Sequence, residues 1–149
     1  MLVNDEDLAS RRSSTMESAA ETKTVRLPVF GGAHKGFQVW WIRFMAFAAV
    51  YKIPKALKIG GETVMPVTEN TVIDLTNDAG RAQAAAVRRN AIAMANLTVA
   101  STTEATIRIV YKAMSIEWPS GLAHLVVAAL FKKCQQQDLI TKLELRQKF

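Results

Sequence analysis

The chain has 149 residues, half of them hydrophobic, and a formal net charge of +6, which suits one folded domain with an ample core. Its single cysteine, Cys134, excludes an internal disulfide framework and points to a reducing compartment, the cytoplasm or the nucleus, of which the cytoplasm is the expectation carried forward. No apolar run is long enough for a transmembrane helix, and the polar, acidic start does not fit a signal peptide.

Residues 1–24 carry a net −2, with Asp5, Glu6, Asp7, Glu17 and Glu21 against Arg11, Arg12 and Lys23, while residues 25–149 carry +8. The first segment has few large apolar side chains to offset the entropy of ordering, so a disordered N-terminal arm is expected over 1–24. The basic remainder suits a polyanion, an acidic protein surface or plain solvation.

Val25 to Phe30 is a short apolar segment held extended by Pro28, followed by a glycine-punctuated turn at Gly31, Gly32 and Gly36. From Phe37 the pattern turns helical: Phe37, Trp40, Trp41, Phe44, Ala48 and Tyr51 recur at offsets of three and four. Pro54 ends this helix or opens a short one over Lys55–Leu57. Between 58 and 77, Gly60, Gly61, Pro66 and Asn70 break any long helix. Thr63-Val-Met and Thr71-Val-Ile are strand-like, so a short β-hairpin near 60–75 and an irregular loop are both open. Thr76–Asp78 offers helix caps before an alanine-rich helix over Arg81–Val99. Ser101 and Glu104 have capping-box spacing and start a helix carrying Ile107, Val110, Tyr111 and Met114. Trp118-Pro-Ser-Gly is a turn, with Ser120 a cap for a helix marked by Leu122, Leu125, Val126, Ala129, Leu130 and Lys133. Asp138 is read as the cap of a last helix with Leu139, Leu143 and Phe149, which is expected to continue past residue 149.

The chemistry of catalysis is not visible in the sequence. Its two histidines, His34 in a glycine-rich turn and His124 on an apolar helix, lie in no nucleophile–base motif. One cysteine and two distant histidines do not make a zinc site, and the glycines lack nucleotide-binding spacing. The expectation is therefore no enzyme, no catalytic residue, no metal, no cofactor, no small-molecule substrate and no membrane.

The stretch Leu27-Pro-Val-Phe-Gly-Gly, then Gly36-Phe-Gln-Val-Trp-Trp-Ile-Arg-Phe-Met, resembles the start of the Gag polyprotein of copia-type LTR retrotransposons. That family opens on a Leu-Pro-x-Phe-x-Gly segment, an aromatic and a Trp-bearing helix, and Leu27, Pro28, Phe30, Gly32, Phe37 and Trp40 occupy those positions. Downstream, Trp118-Pro-Ser-Gly-Leu-Ala-His-Leu-Val-Val-Ala-Ala-Leu130 and Leu143-Glu-Leu-Arg-Gln resemble later helices of the family. The resemblance covers 25–149. It implies an all-α, compact multi-helix bundle of the retroelement capsid type that self-assembles into oligomers or virus-like particles and packages element RNA. The chain would then be a Gag capsid or a domesticated relative. The zinc knuckle that often follows in Gag is not in this sequence. The alternative is a monomeric helical module that binds protein or nucleic acid.

Trp40 and Trp41 are adjacent and point about 100° apart on a helix, so both cannot face one core. Trp40 is assigned to the core and Trp41, Leu139 and Leu143 to a homo-oligomer interface. Arg88, Arg89, Lys132, Lys133, Lys142, Arg146 and Lys148 are the candidates for non-specific RNA contact, with Lys142 and Arg146 on one helical face. Cys134 is read as a buried, inert thiol.

Overall fold

The structure is a computed structural model that describes residues 25–148, without the side chains at positions 137, 138, 141 and 148. The arm at 1–24 and Phe149 therefore lie outside the described residues. After a 3-10 turn at His34–Gly36 come α1 (Phe37–Val50), α2 (Pro54–Leu57), α3 (Asp78–Ala100), α4 (Glu104–Lys112) and α5 (Ala123–Lys148). The described chain is mainly helical and has no strand, as the helical spacing predicts.

The segment before α1 is held by backbone and aromatic contacts. Phe30 forms an isolated parallel bridge with Ser101, donating its N–H to Ala100 at 2.8 Å. The Phe30 ring stacks on Trp40 at 4.9 Å, and Trp40 Nε1 donates to the Pro28 carbonyl at 3.0 Å. Thus Leu27–Phe30, an irregular piece in sequence, lies across α1 and the end of α3.

Helix starts are set by side chains that take up unpaired backbone N–H groups. Asn77 caps α3, accepting from the Gly80 N–H at 2.7 Å. The Asp74 carboxylate accepts from Thr76 N–H and Asn77 Nδ2 and is held below the usual carboxylate range, chiefly by its Thr76 hydrogen bonds. This turn presses on the helix so closely that a Cβ at Gly80 would sit 1.5 Å from the Asp74 carbonyl oxygen. At α4 the capping box is Thr103 with Thr106, two residues later than the expected Ser101–Glu104 pair.

Two further expectations are corrected, and the alternatives left open near 60–75 are decided for the irregular loop. The β-hairpin near 60–75 does not form, because the loop's polar groups are used elsewhere. The Val67 carbonyl accepts from Trp118 Nε1, and the Glu69 N–H donates to Glu117. Ser120 does not cap α5. Its N–H donates to Glu69, while buried Asn90 reaches over from α3, accepting from Ala123 N–H at 2.9 Å and donating to the Gly121 carbonyl at 2.9 Å. Finally, Asp138 starts no new helix: α5 runs unbroken from Ala123 to Lys148. No glycine or proline interrupts this span, and Gln135-Gln-Gln favours helix.

The core joins α1, α2, α3 and α5, with Phe44, Ile53, Leu97, Val126 and Val127 almost fully enclosed. Gly121, at φ +86°, turns the chain into α5 under Met94; a Cβ there would meet Met94 Cε at 2.7 Å, so a side chain would add strain and a clash.

Candidate interaction surface

Each helix buries one face, and the residues left on the others define what the molecule offers to partners. In α1 the core face is Phe37, Trp40, Phe44, Phe47 and Ala48. The opposite side carries an apolar stripe flanked by the exposed Gln38 and Arg43. Val39 is 55 % exposed and Ile42 69 %, and Ala46, Ala49 and Val50 are exposed beside them. Their spacing of three and four places them on one stripe. An apolar stripe of this kind is normally covered, yet Ile42, Ala46, Ala49 and Val50 stay exposed among the described residues.

Helix α4 shows a phase shift. The sequence pattern suggested Ile107, Val110, Tyr111 and Met114 as one face. Val110 is buried, but together with Thr106 and Ala113, leaving Ile107, Tyr111 and Met114 exposed. Thr106 can be buried because its hydroxyl donates to the Thr103 carbonyl at 3.0 Å.

Helix α5 changes character along its length. Ala123, Val126, Val127, Leu130 and Cys134 form its core face, and Cys134 is buried there as expected. Beyond it Leu139, Ile140, Leu143 and Leu145 are all at least half exposed. Leu139 and Leu143 are thus placed where a contact would need them. At about 100° per residue, Leu139 and Leu143 lie on the side away from the core face, so they are a separate surface, whereas Leu145 continues the line of Val127.

Trp41 is half-buried, whereas Trp40 beside it is buried, the division the sequence predicts. Trp41 meets Phe131 edge to face at 5.0 Å and, with Met45, Ile59 and Phe131, lines an apolar groove of about 380 Å³ rimmed by Lys55 and Lys58.

The motif residues Phe30, Phe37, Trp40, Trp118 and Leu130 are buried, and Leu27, Pro28 and Gly32 are half-buried around them. They hold the fold and offer no reactive surface.

The basic candidates divide. Arg88, Lys132, Lys142 and Arg146 are exposed and Lys133 is half-buried; the side chain of Lys148 lies outside the described residues. Arg89 is committed to structure: its guanidinium binds Glu62 in two-pronged fashion at 2.7 and 2.9 Å, which raises its pKa and ties the 58–77 loop to α3. Its charge is compensated within the fold.

Among the described residues no group of three or more His, Cys, Asp or Glu side chains could hold a metal ion. No described helix is long and apolar enough to cross a membrane. His124 is half-buried, and desolvation pushes its pKa down. His34 lies half-buried in the 3-10 turn, far along the chain from it.

No family model, no curated protein and no solved structure matches this chain.

Proposed function

We propose that this chain is a structural, Gag-like capsid domain of a copia-type retrotransposon, or a domesticated relative of one. In this reading it catalyses no reaction, works in the cytoplasm within ribonucleoprotein or virus-like particles, and associates with further copies of itself around element RNA. The observation that carries the proposal is the outward apolar face of α1, Val39, Ile42, Ala46 and Val50, on the side opposite the core. Contiguous apolar surface of this kind marks contact sites, and repeated weak contacts between identical copies suit a shell. The distal half of α5 supplies a second such surface. The order of Leu27, Phe30, Phe37, Trp40 and Trp118 supports the capsid assignment.

The test is light scattering across a concentration series, with and without RNA, on wild type, Ile42→Lys and Trp41→Ala. Oligomers or particles are expected for wild type. Ile42→Lys is expected to give monomers with unchanged helical circular dichroism, because residue 42 touches no core. A wild type that stays monomeric at every concentration, with and without RNA, overturns the proposal and leaves a monomeric interaction module.

A further inference from the structure

The groove beside Trp41 has an apolar floor and an uncompensated positive rim. Trp41, Met45, Ile59 and Phe131 make the floor, and the rim carries Lys55 and Lys58 with no acidic side chain among the lining residues. Both lysines are exposed, and neither takes part in an ion pair among the described residues. They also border the adjoining hollow that holds Glu62, but that carboxylate is taken by Arg89 at 2.7 and 2.9 Å. An occupant that fits must place apolar side chains on the floor and a carboxylate at the rim.

The distal half of α5 presents that combination. Ile140, Leu143 and Glu144 stand at offsets of three and four and share one side of the helix. Ile140 and Leu143 are at least half exposed, and Glu144 is exposed with no ion pair among the described residues. At about 100° per residue, Lys142 and Arg146 fall more than about 100° from the middle of this face, so their charge is turned away from it. The face cannot return to the groove of its own chain. Helix α5 runs unbroken from Phe131, which lines the groove, through Leu143, and at about 1.5 Å per residue that carries Leu143 about 18 Å further along a straight rod. We infer that the distal face of α5 in one copy docks in the Trp41–Phe131 groove of a second copy, with Ile140 and Leu143 on the aromatic floor and Glu144 between Lys55 and Lys58. This rests on the self-association proposed above and gives it a direction. Each copy offers a helix at one place and a groove at another. The contact is therefore head-to-tail, and it closes into a ring or extends into a chain according to the rotation between copies.

The test uses the full chain at a concentration where light scattering shows oligomers. In a Cys134→Ala background, whose fold is checked by circular dichroism, Ile59→Cys is placed in one copy and Leu143→Cys in another. Both positions are exposed, so the core is left intact. The mixture is treated with a short bismaleimide crosslinker, and the linked peptides are identified by mass spectrometry. Links from residue 59 to residue 143 are expected to dominate over 59–59 and 143–143 links. Adding Lys55→Glu/Lys58→Glu to the first copy should cut their yield at least about tenfold, because like charges then face each other across the contact. Adding Glu144→Lys to the second copy should restore it. The same exchange in otherwise wild-type chains needs no cysteine: light scattering should show mass lost in Lys55→Glu/Lys58→Glu and regained when Glu144→Lys is added. Oligomers that give like-to-like links or none, or that ignore the charge exchange, overturn this pairing and leave the self-association reading standing. A wild type that stays monomeric overturns both.

Discussion

Two polar side chains are buried among the described residues, Asn90 and Thr106, and both are satisfied. Thr106 is closed within its own turn, but Asn90 serves another element, bridging Gly121 and Ala123 at the start of α5. Asn90→Ala would leave a buried carbonyl and a helix-start N–H unpaired at once. The expected loss is about 3 kcal/mol, read as a lower urea midpoint with an unchanged m-value. A midpoint equal to wild type would show that water replaces the amide at no cost. His124 gives a pH dependence of definite sign. Burial lowers its pKa below the ordinary value of 6.5, so the folded state resists a proton that the unfolded chain accepts. Its contribution is fully retained above that value and is lost as pH falls below it towards the lower folded pKa. Thermal melts should therefore fall from neutral to mildly acidic pH, and His124→Gln should flatten the fall. Equal slopes in the two proteins would remove His124 from the account.

At the scale of elements, the sequence pattern located the helices better than their faces. The periodic aromatics of α1 and the alanine-rich run of α3 are visible because propensity and spacing agree there. The β-branched residues of the loop at 58–77 leave a hairpin and an irregular loop equally open in the sequence: what decides for the loop is Trp118, 51 residues from Val67, and Glu62 bonded to Arg89, partners that local patterning does not encode. On α4 the polar Thr106 is buried and the aromatic Tyr111 is 73 % exposed, which reverses the hydrophobic reading, because the local hydroxyl bond removes the cost of burying threonine. Asp138 resembles a helix cap in the sequence, but α5 continues through it because no glycine or proline stops the helix there. Its two halves should answer mutation differently. Leu130→Lys places a charge in the core and is expected to unfold the domain, since large core losses already cost about 2–5 kcal/mol before any charge is buried. Leu139→Lys with Leu143→Lys should leave the melting temperature within about 0.5 kcal/mol of wild type in stability, while reducing mass by light scattering. Unfolding of the double variant would mean that the distal half packs on its own domain.

Over the whole molecule, the basic surface open to a polyanion such as the RNA of the proposed function is narrower than the net charge of +8 over residues 25–149 suggests. Arg89 is neutralised by Glu62, and Arg81 and Arg108 pair with Asp78 and Glu104 on their own helices. The exposed candidates that remain include Lys132, Lys142 and Arg146 on α5. At about 100° per residue these three fall on one outer row of the helix, together with Leu139, and extend over about 21 Å. A row of flexible cations on one rigid rod can follow phosphates but presents no shape for reading bases. Binding is accordingly expected to be weak, independent of RNA sequence and strongly dependent on salt. Each phosphate contact adds about 0.7 to the steepness of log affinity against log salt for a single strand. Changing Lys142 and Arg146 to Ala should therefore lower that steepness by about 1.4, whatever the RNA sequence. Changing Arg89 to Ala should leave it unaltered while loosening the 58–77 loop. Fluorescence anisotropy with a short unstructured RNA over a salt series measures both. If the steepness is unchanged in the Lys142/Arg146 variant, the RNA lies elsewhere on the domain. If affinity survives high salt with a clear sequence preference, the row on α5 is not the contact and another surface reads the bases.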